Sequence, residues 1–341
     1  MSDRIIVRGG PAGTMFIGPE VAPTLGEGTA PLDTAVLEVR GGHLVWSVLA
    51  SQRFPVALID DTEAAQEWIW AVYGADIALA VADFDSVPTE FTPDPGLPEL
   101  APRAYKLGYA HWAARWWPAS TLDGIPPLDE RLIDVDIRTL TTECDLLVDG
   151  ADAIDAYEDD DLASRSGADR AEDYALAAGP TTVTDVLVLA RGTGGWDWRR
   201  CPPGIVDASE RTLSWEVRRR PGTTVIQVSA VAAPGLHTPV PPHLHPRALI
   251  RTPAATAVAE LTLTGDLWTG SAAAPDGWES TVAVDIHVPG VGPSDVADPD
   301  DARIRPQLRE FAAARLRNAG RAPDDTMLLA EIAAATTDTD F

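Results

Sequence analysis

Basic residues are scarce in this 341-residue chain, and lysine is almost absent. Lysine and arginine together number 26, with Lys106 as the single lysine, whereas aspartate and glutamate number 52 and the formal net charge is −26. A surface this negative repels phosphate backbones and anionic lipid headgroups. We therefore expect no nucleic-acid or membrane partner, and we expect a protein partner to be basic.

Cysteine is also scarce, and long apolar runs are missing. Cys144 and Cys201 are the two cysteines, too few for a disulfide-stapled framework or a zinc site built from cysteine pairs. No apolar run approaches the roughly 20 residues that a membrane-spanning helix needs. Residues 1–4 lead directly into an apolar stretch without the layout of a secretory signal, so we expect a cytoplasmic protein.

Recognisable catalytic motifs are lacking as well. The chain has no Gly-x-Ser-x-Gly nucleophile elbow, and its glycine-rich stretches lack the Lys-Ser/Thr ending of a phosphate-binding loop. Cys201 is the better candidate for a reactive thiol, because Arg199 and Arg200 precede it and nearby guanidinium groups favour the thiolate. Since no complete catalytic set accompanies this cysteine, the sequence favours a non-catalytic protein.

The remaining composition is typical of a folded α+β protein. Apolar residues make up 45% of the chain, and eleven residues are tryptophan. The length favours two domains. Short strands followed by helices predict an α+β domain over residues 1–179. Residues 180–341 are predicted to form a β-sandwich or open barrel with two closing helices and an acidic tail. The six predicted strands of this second domain are 182–190, 212–217, 223–231, 257–263, 267–271 and 281–288.

Turn and cap residues locate the elements of the first domain. Gly41 and Gly42, between two apolar runs, predict a two-residue hairpin turn. Asp60 and Asp61 are expected to cap the first helix. The proline-rich segment 88–102 is expected to be a loop. Four helices are predicted, over residues 63–73, 102–117 and 129–148 and around residues 170–178.

Tryptophan supplies the candidate interaction surface. Trp116 and Trp117 are neighbours on a predicted helix, where successive side chains point about 100° apart, so one of them is expected to approach the surface. Arg115 lies beside them and can anchor an anion. Trp196 and Trp198 alternate around one residue and can share a face of a strand. Because tryptophan is enriched at protein interfaces, these five residues are predicted to contact a partner.

A group of histidines indicates an alternative function. His237, His243 and His245 lie within nine residues of a proline-rich stretch, and neutral imidazole is a common metal ligand. The alternative function is a metal-dependent hydrolase or small-molecule binder that uses zinc or iron. No carboxylate stands nearby at a fixed spacing, so a surface loop stiffened by proline is the competing interpretation.

Taken together, these observations favour one function. The expected protein is a cytoplasmic, non-catalytic binding or scaffold subunit of a multi-protein assembly, with an acidic surface and no cofactor. The absence of a catalytic set, the number of tryptophans and the charge of −26 carry this expectation.

Overall fold

The computed structural model describes residues 4–10, 13–19, 30–50, 52–148, 187–236, 238–293 and 299–337. Along these residues the chain forms strands and helices, then a second series of strands and two final helices. The sheets are antiparallel. The α+β class and the order of elements expected from the sequence are confirmed. The helix predicted around residues 170–178 and the boundary placed after Gly179 lie outside the described residues.

The first series of strands forms one six-stranded sheet. Its strands are β1 (Ile5–Gly9), β2 (Met15–Gly18), β3 (Thr34–Val39), β4 (Gly42–Ser47), β5 (Val56–Ile59) and β6 (Thr89–Phe91). They lie in the order β3-β4-β5-β2-β1-β6. Strand β6 falls within the segment expected to be a loop, because three residues at a sheet edge are too few to show a strand periodicity.

The hairpin expected near Gly41 joins β3 to β4. The last pair in its register is Val39 with Gly42, so the turn consists of Arg40 and Gly41, and Gly42 already belongs to β4. Gly41 has a φ of +70°, a conformation that glycine adopts without the steric cost of a side chain. The hairpin is therefore confirmed, with its turn one residue earlier than expected.

Four helices accompany this sheet. They are α1 (Thr62–Tyr73), α2 (Ala75–Ala82), α3 (Leu100–Trp116) and α4 (Glu130–Glu143). The Asp61 carboxylate accepts hydrogen bonds from the N–H groups of Glu63 and Ala64 at 3.0 and 3.1 Å, which confirms it as the N-cap of α1. Helix α4 ends at Glu143 instead of continuing to residue 148, because residues 144–147 form a turn.

The second series of strands forms two sheets. Its strands are β7 (Leu187–Gly194), β8 (Leu213–Arg220), β9 (Thr223–Val231), β10 (Arg247–Arg251), β11 (Thr256–Glu260), β12 (Thr262–Thr264), β13 (Leu267–Ala273) and β14 (Ala283–His287). The larger sheet has the order β12-β13-β9-β8-β7, and the smaller has the order β11-β10-β14. Ile226 and Val228 of the larger sheet share one buried core with Ala248 and Ile250 of the smaller sheet, as in a β-sandwich.

Two final helices, α5 (Pro299–Ala319) and α6 (Leu329–Thr337), pack against helices from the first half of the chain. The Tyr109 hydroxyl on α3 donates a hydrogen bond to Glu331 Oε1 at 2.7 Å. Asp136 on α4 accepts one from the Leu329 N–H at 2.7 Å, at the start of α6. Both halves therefore contribute to one core. Among the described residues, no helix has the length and apolar character needed to cross a bilayer.

Candidate functional site

The two adjacent tryptophans at the end of α3 have different environments. The Trp117 side chain is buried, and its indole N–H donates to the carbonyl oxygen of Pro126 at 2.9 Å. Trp116 is half-buried. The guanidinium carbon of the exposed Arg115 lies 5.2 Å from the centroid of the Trp116 ring, a cation–π arrangement. Of the two neighbours, Trp116 is the one that reaches the surface.

Trp196 and Trp198 come together in the core. Their ring centroids lie 6.4 Å apart, and both side chains are buried. The Trp196 indole N–H donates to the backbone carbonyl oxygen of Asp207 at 3.0 Å. Both residues follow the end of β7, where the chain turns inward. The prediction that Trp196 and Trp198 contact a partner from one strand face is therefore corrected. Both indoles, like that of Trp117, are buried and do not reach the surface.

The histidine-rich stretch is described only in part, because His237 lies outside the described residues. His243 is exposed on a short 3-10 turn. His245 has its Nε2 atom 3.1 Å from the carbonyl oxygen of Val240, and its ring centroid lies 5.6 Å from that of Trp268. Within the described ranges, no group of three or more histidine, cysteine, aspartate or glutamate residues is placed to hold a metal ion.

Cys201 has the environment of a core residue. Its thiol is buried, and this burial raises its pKa well above the ordinary value. The guanidinium group of Arg199, expected to favour the thiolate, is instead paired with the buried carboxylate of Asp301, with Nη2 3.0 Å from Oδ1. Burial therefore argues against Cys201 as a reactive thiol, because desolvation disfavours the charged form of the sulfur. Burial also raises the pKa of Cys144 to about 12.

Acidic residues are the only charged residues in one continuous stretch of the sequence. Residues 54–102 contain ten acidic residues and no lysine, arginine or histidine. All ten are exposed, on α1, on α2, on β6 and in the adjoining connections. They are Asp60, Asp61, Glu63, Glu67, Asp76, Asp83, Asp85, Glu90, Asp94 and Glu99. Ten of the 52 acidic residues thus lie around two helices and the connection that follows them, with no basic residue in the same stretch.

Trp70 is an exposed aromatic side chain within this acidic stretch. Glu63, Glu67 and Trp70 follow one another at spacings of four and three residues on α1, which places them on one face of the helix. The Trp70 side chain is 43% exposed. Its ring packs on Gly96, where an added Cβ atom would lie 2.5 Å from the ring atom Cε2. The Trp70 ring therefore packs on Gly96 and remains partly exposed to solvent.

The connection between β6 and α3 extends this face of α1. The N–H groups of Gly96 and Leu97 donate to carbonyl oxygens near the end of α1, at 3.2 and 2.9 Å. These bonds hold Leu97, which is 44% exposed, beside Trp70. Asp94 is exposed in the same connection. We call this set the Trp70 surface: Glu63, Glu67, Trp70, Asp94 and Leu97.

The sequence-based predictions did not include Trp70, although the spacing of two tryptophans on α1 indicated it. Trp68 and Trp70 are two residues apart, and two residues of an α-helix span about 200°. A helix that packs one of these indoles against the sheet must turn the other away from it. Trp68 is buried, and its indole N–H donates to the carbonyl oxygen of Arg40 at 2.7 Å. Trp70 is therefore the outward member of the pair.

No protein-family model, curated protein or solved structure matches this chain. The fold defines an α+β protein with a sandwich-like second half. The candidate site is defined by its own geometry: an exposed tryptophan and an exposed leucine lie on neighbouring, hydrogen-bonded backbone segments among exposed carboxylates.

Proposed function

We propose that this protein is a non-catalytic binding or scaffold subunit, which contacts a basic protein partner through the Trp70 surface. The observation that carries the proposal is the exposed Trp70 ring, supported by Gly96 within a stretch of ten acidic residues and no basic ones. Nucleic acid and anionic membranes are unsuitable partners for the same stretch, because both carry negative charge.

The apolar part of the Trp70 surface suits a binding hot spot. Tryptophan is among the residues that contribute most to binding energy when a partner covers them. Because the ring already packs on Gly96, little side-chain freedom remains to be lost on association. Leu97 enlarges the apolar area beside it. A partner that covers both residues removes a compact apolar area from water.

The acidic part of the Trp70 surface supports selection of the partner. Glu63, Glu67 and Asp94 flank the apolar residues and are exposed. Charges at the rim of an interface mainly increase the rate of association and exclude partners of like charge. They act through solvent, so added salt screens them. We therefore expect the complex to form faster with a basic partner and to weaken at high ionic strength.

The strongly perturbed titratable groups that the structure describes support a non-catalytic function. Such groups often mark catalytic sites, but here they belong to the core. The pKa of Tyr109 is raised by burial and by the neighbouring Glu331 carboxylate, which also pairs with Arg315. The two described cysteines are free, buried thiols, which fits the reducing cytoplasm that we propose as the location.

A mild affinity purification from the native host tests this function. The tagged chain is compared with a Glu67→Lys variant, and copurifying proteins are quantified by mass spectrometry at two salt concentrations. We expect one basic protein at near-stoichiometric amounts, reduced by salt and by Glu67→Lys. Glu279→Lys is the matched control, because Glu279 is exposed and lies outside the acidic stretch. Recovery of the chain alone, or an equal loss with both variants, contradicts the proposal.

A further inference from the structure

A second concave surface lies on β7, β8 and β9, on the face of the larger sheet opposite the core. It forms an open cavity of about 350 Å³, and the residues that line it include arginine, glutamate, glutamine, serine, threonine and one tryptophan, Trp215. We propose that this cavity binds a small polyhydroxylated carboxylate of the sugar-acid class. Small-ligand sites begin at about 300 Å³, so the volume suits a ligand of about one sugar ring. This site is separate from the Trp70 surface.

The strand register arranges the lining side chains in two rows. In the first row, Arg191 of β7 pairs with Glu216 of β8, which pairs with Gln227 of β9. In the second row, the three paired residues are Thr193, Ser214 and Ser229. Paired residues of an antiparallel sheet point to the same face. A row with charged and amide groups therefore lies next to a row of three hydroxyl groups.

Among the described charged groups of this cavity, the guanidinium group of Arg191 is the one available to a ligand. Glu216 Oε2 accepts hydrogen bonds from Arg218, with Nε at 2.8 Å and Nη2 at 2.7 Å. Arg218 thereby neutralises the carboxylate of the cavity. Arg191 is exposed, and within the described ranges its side chain has no hydrogen-bond or ion-pair partner. Among the described residues that line the cavity, two arginines and one glutamate are charged, so their net charge is positive in a chain whose net charge is −26.

The chemistry of the two rows defines the ligand class. The planar guanidinium group of Arg191 offers paired donors that match a carboxylate. The hydroxyl groups of Thr193 and Ser229 can donate and accept hydrogen bonds, as can the Gln227 amide. The Ser214 hydroxyl donates to the carbonyl oxygen of Ser229 at 3.5 Å and can still accept. A ligand with one carboxylate and several hydroxyl groups satisfies both rows. A polar outer face alone is ordinary in antiparallel sheets; the cavity and the available guanidinium group distinguish this one.

Isothermal titration calorimetry with the full chain tests the inference. The probes are D-glucuronate, D-glucose, which lacks the carboxylate, and inorganic phosphate, which lacks the hydroxyl array. We expect saturable binding of glucuronate, with affinity at least about tenfold higher than for either of the other probes, as the loss of about one charge-assisted contact implies. Arg191→Gln should lower the glucuronate affinity about tenfold or more.

Arg131→Gln is the matched control, because it removes the same charge from an exposed position on α4. It should leave the glucuronate affinity within about twofold of wild type, well below the tenfold change of a lost contact. Absence of saturable glucuronate binding to the wild-type chain overturns the inference. Equal affinity for glucuronate and phosphate overturns the ligand class, and equal loss in the two variants overturns the site. Each of these outcomes is independent of partner binding at the Trp70 surface.

Discussion

The indole ring of Trp70 rests on the backbone of Gly96: a Cβ atom at residue 96 would lie 2.5 Å from ring atom Cε2 and 2.6 Å from Cζ2. Only glycine permits so close an approach without a shift of the ring. The contact covers one side of the indole and leaves the side chain 43% exposed. The local structure therefore supports an apolar group that is directed towards solvent, which is unusual in a surface otherwise rich in carboxylates.

The two tryptophans of α1 should differ in their contribution to stability. Trp68→Ala removes a fully buried indole and should lower the free energy of unfolding by about 3–5 kcal/mol. Trp70→Ala leaves no closed cavity and should lower it by about 1–2 kcal/mol. Urea denaturation of the two variants measures the difference. Equal losses would mean that Trp70 is part of the core.

The buried pair on α5 and α6 should be essential to the packing of these helices. Glu331 is fully buried and pairs with Arg315, with Oε2 2.6 Å from Nη2. Glu331→Ala leaves the partly buried Arg315 guanidinium group without its counter-charge and should cost about 3–5 kcal/mol. Glu90→Ala is the matched control: Glu90 pairs with Arg4 at 3.1 Å on the surface, and that change should cost less than about 1 kcal/mol. Comparable urea midpoints for the two variants would contradict this.

Stability should depend on pH through His287. Burial lowers the pKa of this histidine, and the nearby Arg247, Arg251 and Arg200 lower it further. An unfolded histidine binds a proton near pH 6.5, whereas native His287 binds one only at lower pH. The unfolded state therefore holds more protons in that window. The stability that neutral His287 contributes is present above about pH 6.5 and is lost as the pH falls through the native pKa.

Urea denaturation at pH 7.5, 6.5 and 5.5 measures this dependence. The loss of unfolding free energy on acidification should be larger for wild type than for His287→Gln, because the glutamine does not titrate. Carboxylates that titrate in the same range are common to both proteins, so their effect cancels in the difference. Parallel curves for the two proteins would show that His287 does not bind its proton differently in the native and unfolded states.

The histidine-rich stretch gives a direct test of the alternative function. We expect elemental analysis of the purified protein to find no stoichiometric zinc or iron, because His245 Nε2 lies 3.1 Å from the carbonyl oxygen of Val240 and its ring packs beside Trp268. A His243→Ala/His245→Ala double variant should have the same metal content as wild type. Stoichiometric metal that this variant loses would favour the metal-dependent alternative.

The sequence was informative where local chemistry decides the structure. The Asp61 cap and the turn glycine Gly41 act through their own backbone neighbours, so the first helix and the hairpin could be predicted. Strand β10 was missed because arginine stands at both of its ends, Arg247 and Arg251. Only two residues of this strand point into the core, so the sequence shows no long apolar run there.

Of the properties of the candidate site, only its negative charge could be predicted from the sequence. The excess of carboxylates is visible in the composition, but their concentration near α1 and α2 required attention to where basic residues are absent. Tryptophan burial depends on contacts distant in sequence. Trp196, for example, bonds to Asp207 and lies in a core that includes residues of both halves. Of the tryptophans that the sequence predicted to form an interaction surface, packing has withdrawn Trp117, Trp196 and Trp198 from solvent, whereas Trp116 is half-buried.

Binding of a basic partner at the Trp70 surface is best tested by the affinity of the purified partner for wild type, Trp70→Ala and Leu122→Ala. Leu122 is the matched control, because it is an exposed apolar residue outside the Trp70 surface. If the Trp70 surface binds the partner, calorimetric titration should show that Trp70→Ala weakens binding about 30-fold or more, the effect of a hot spot of about 2 kcal/mol. Leu122→Ala should change it less than about twofold. Equal affinities for wild type and Trp70→Ala would contradict the account.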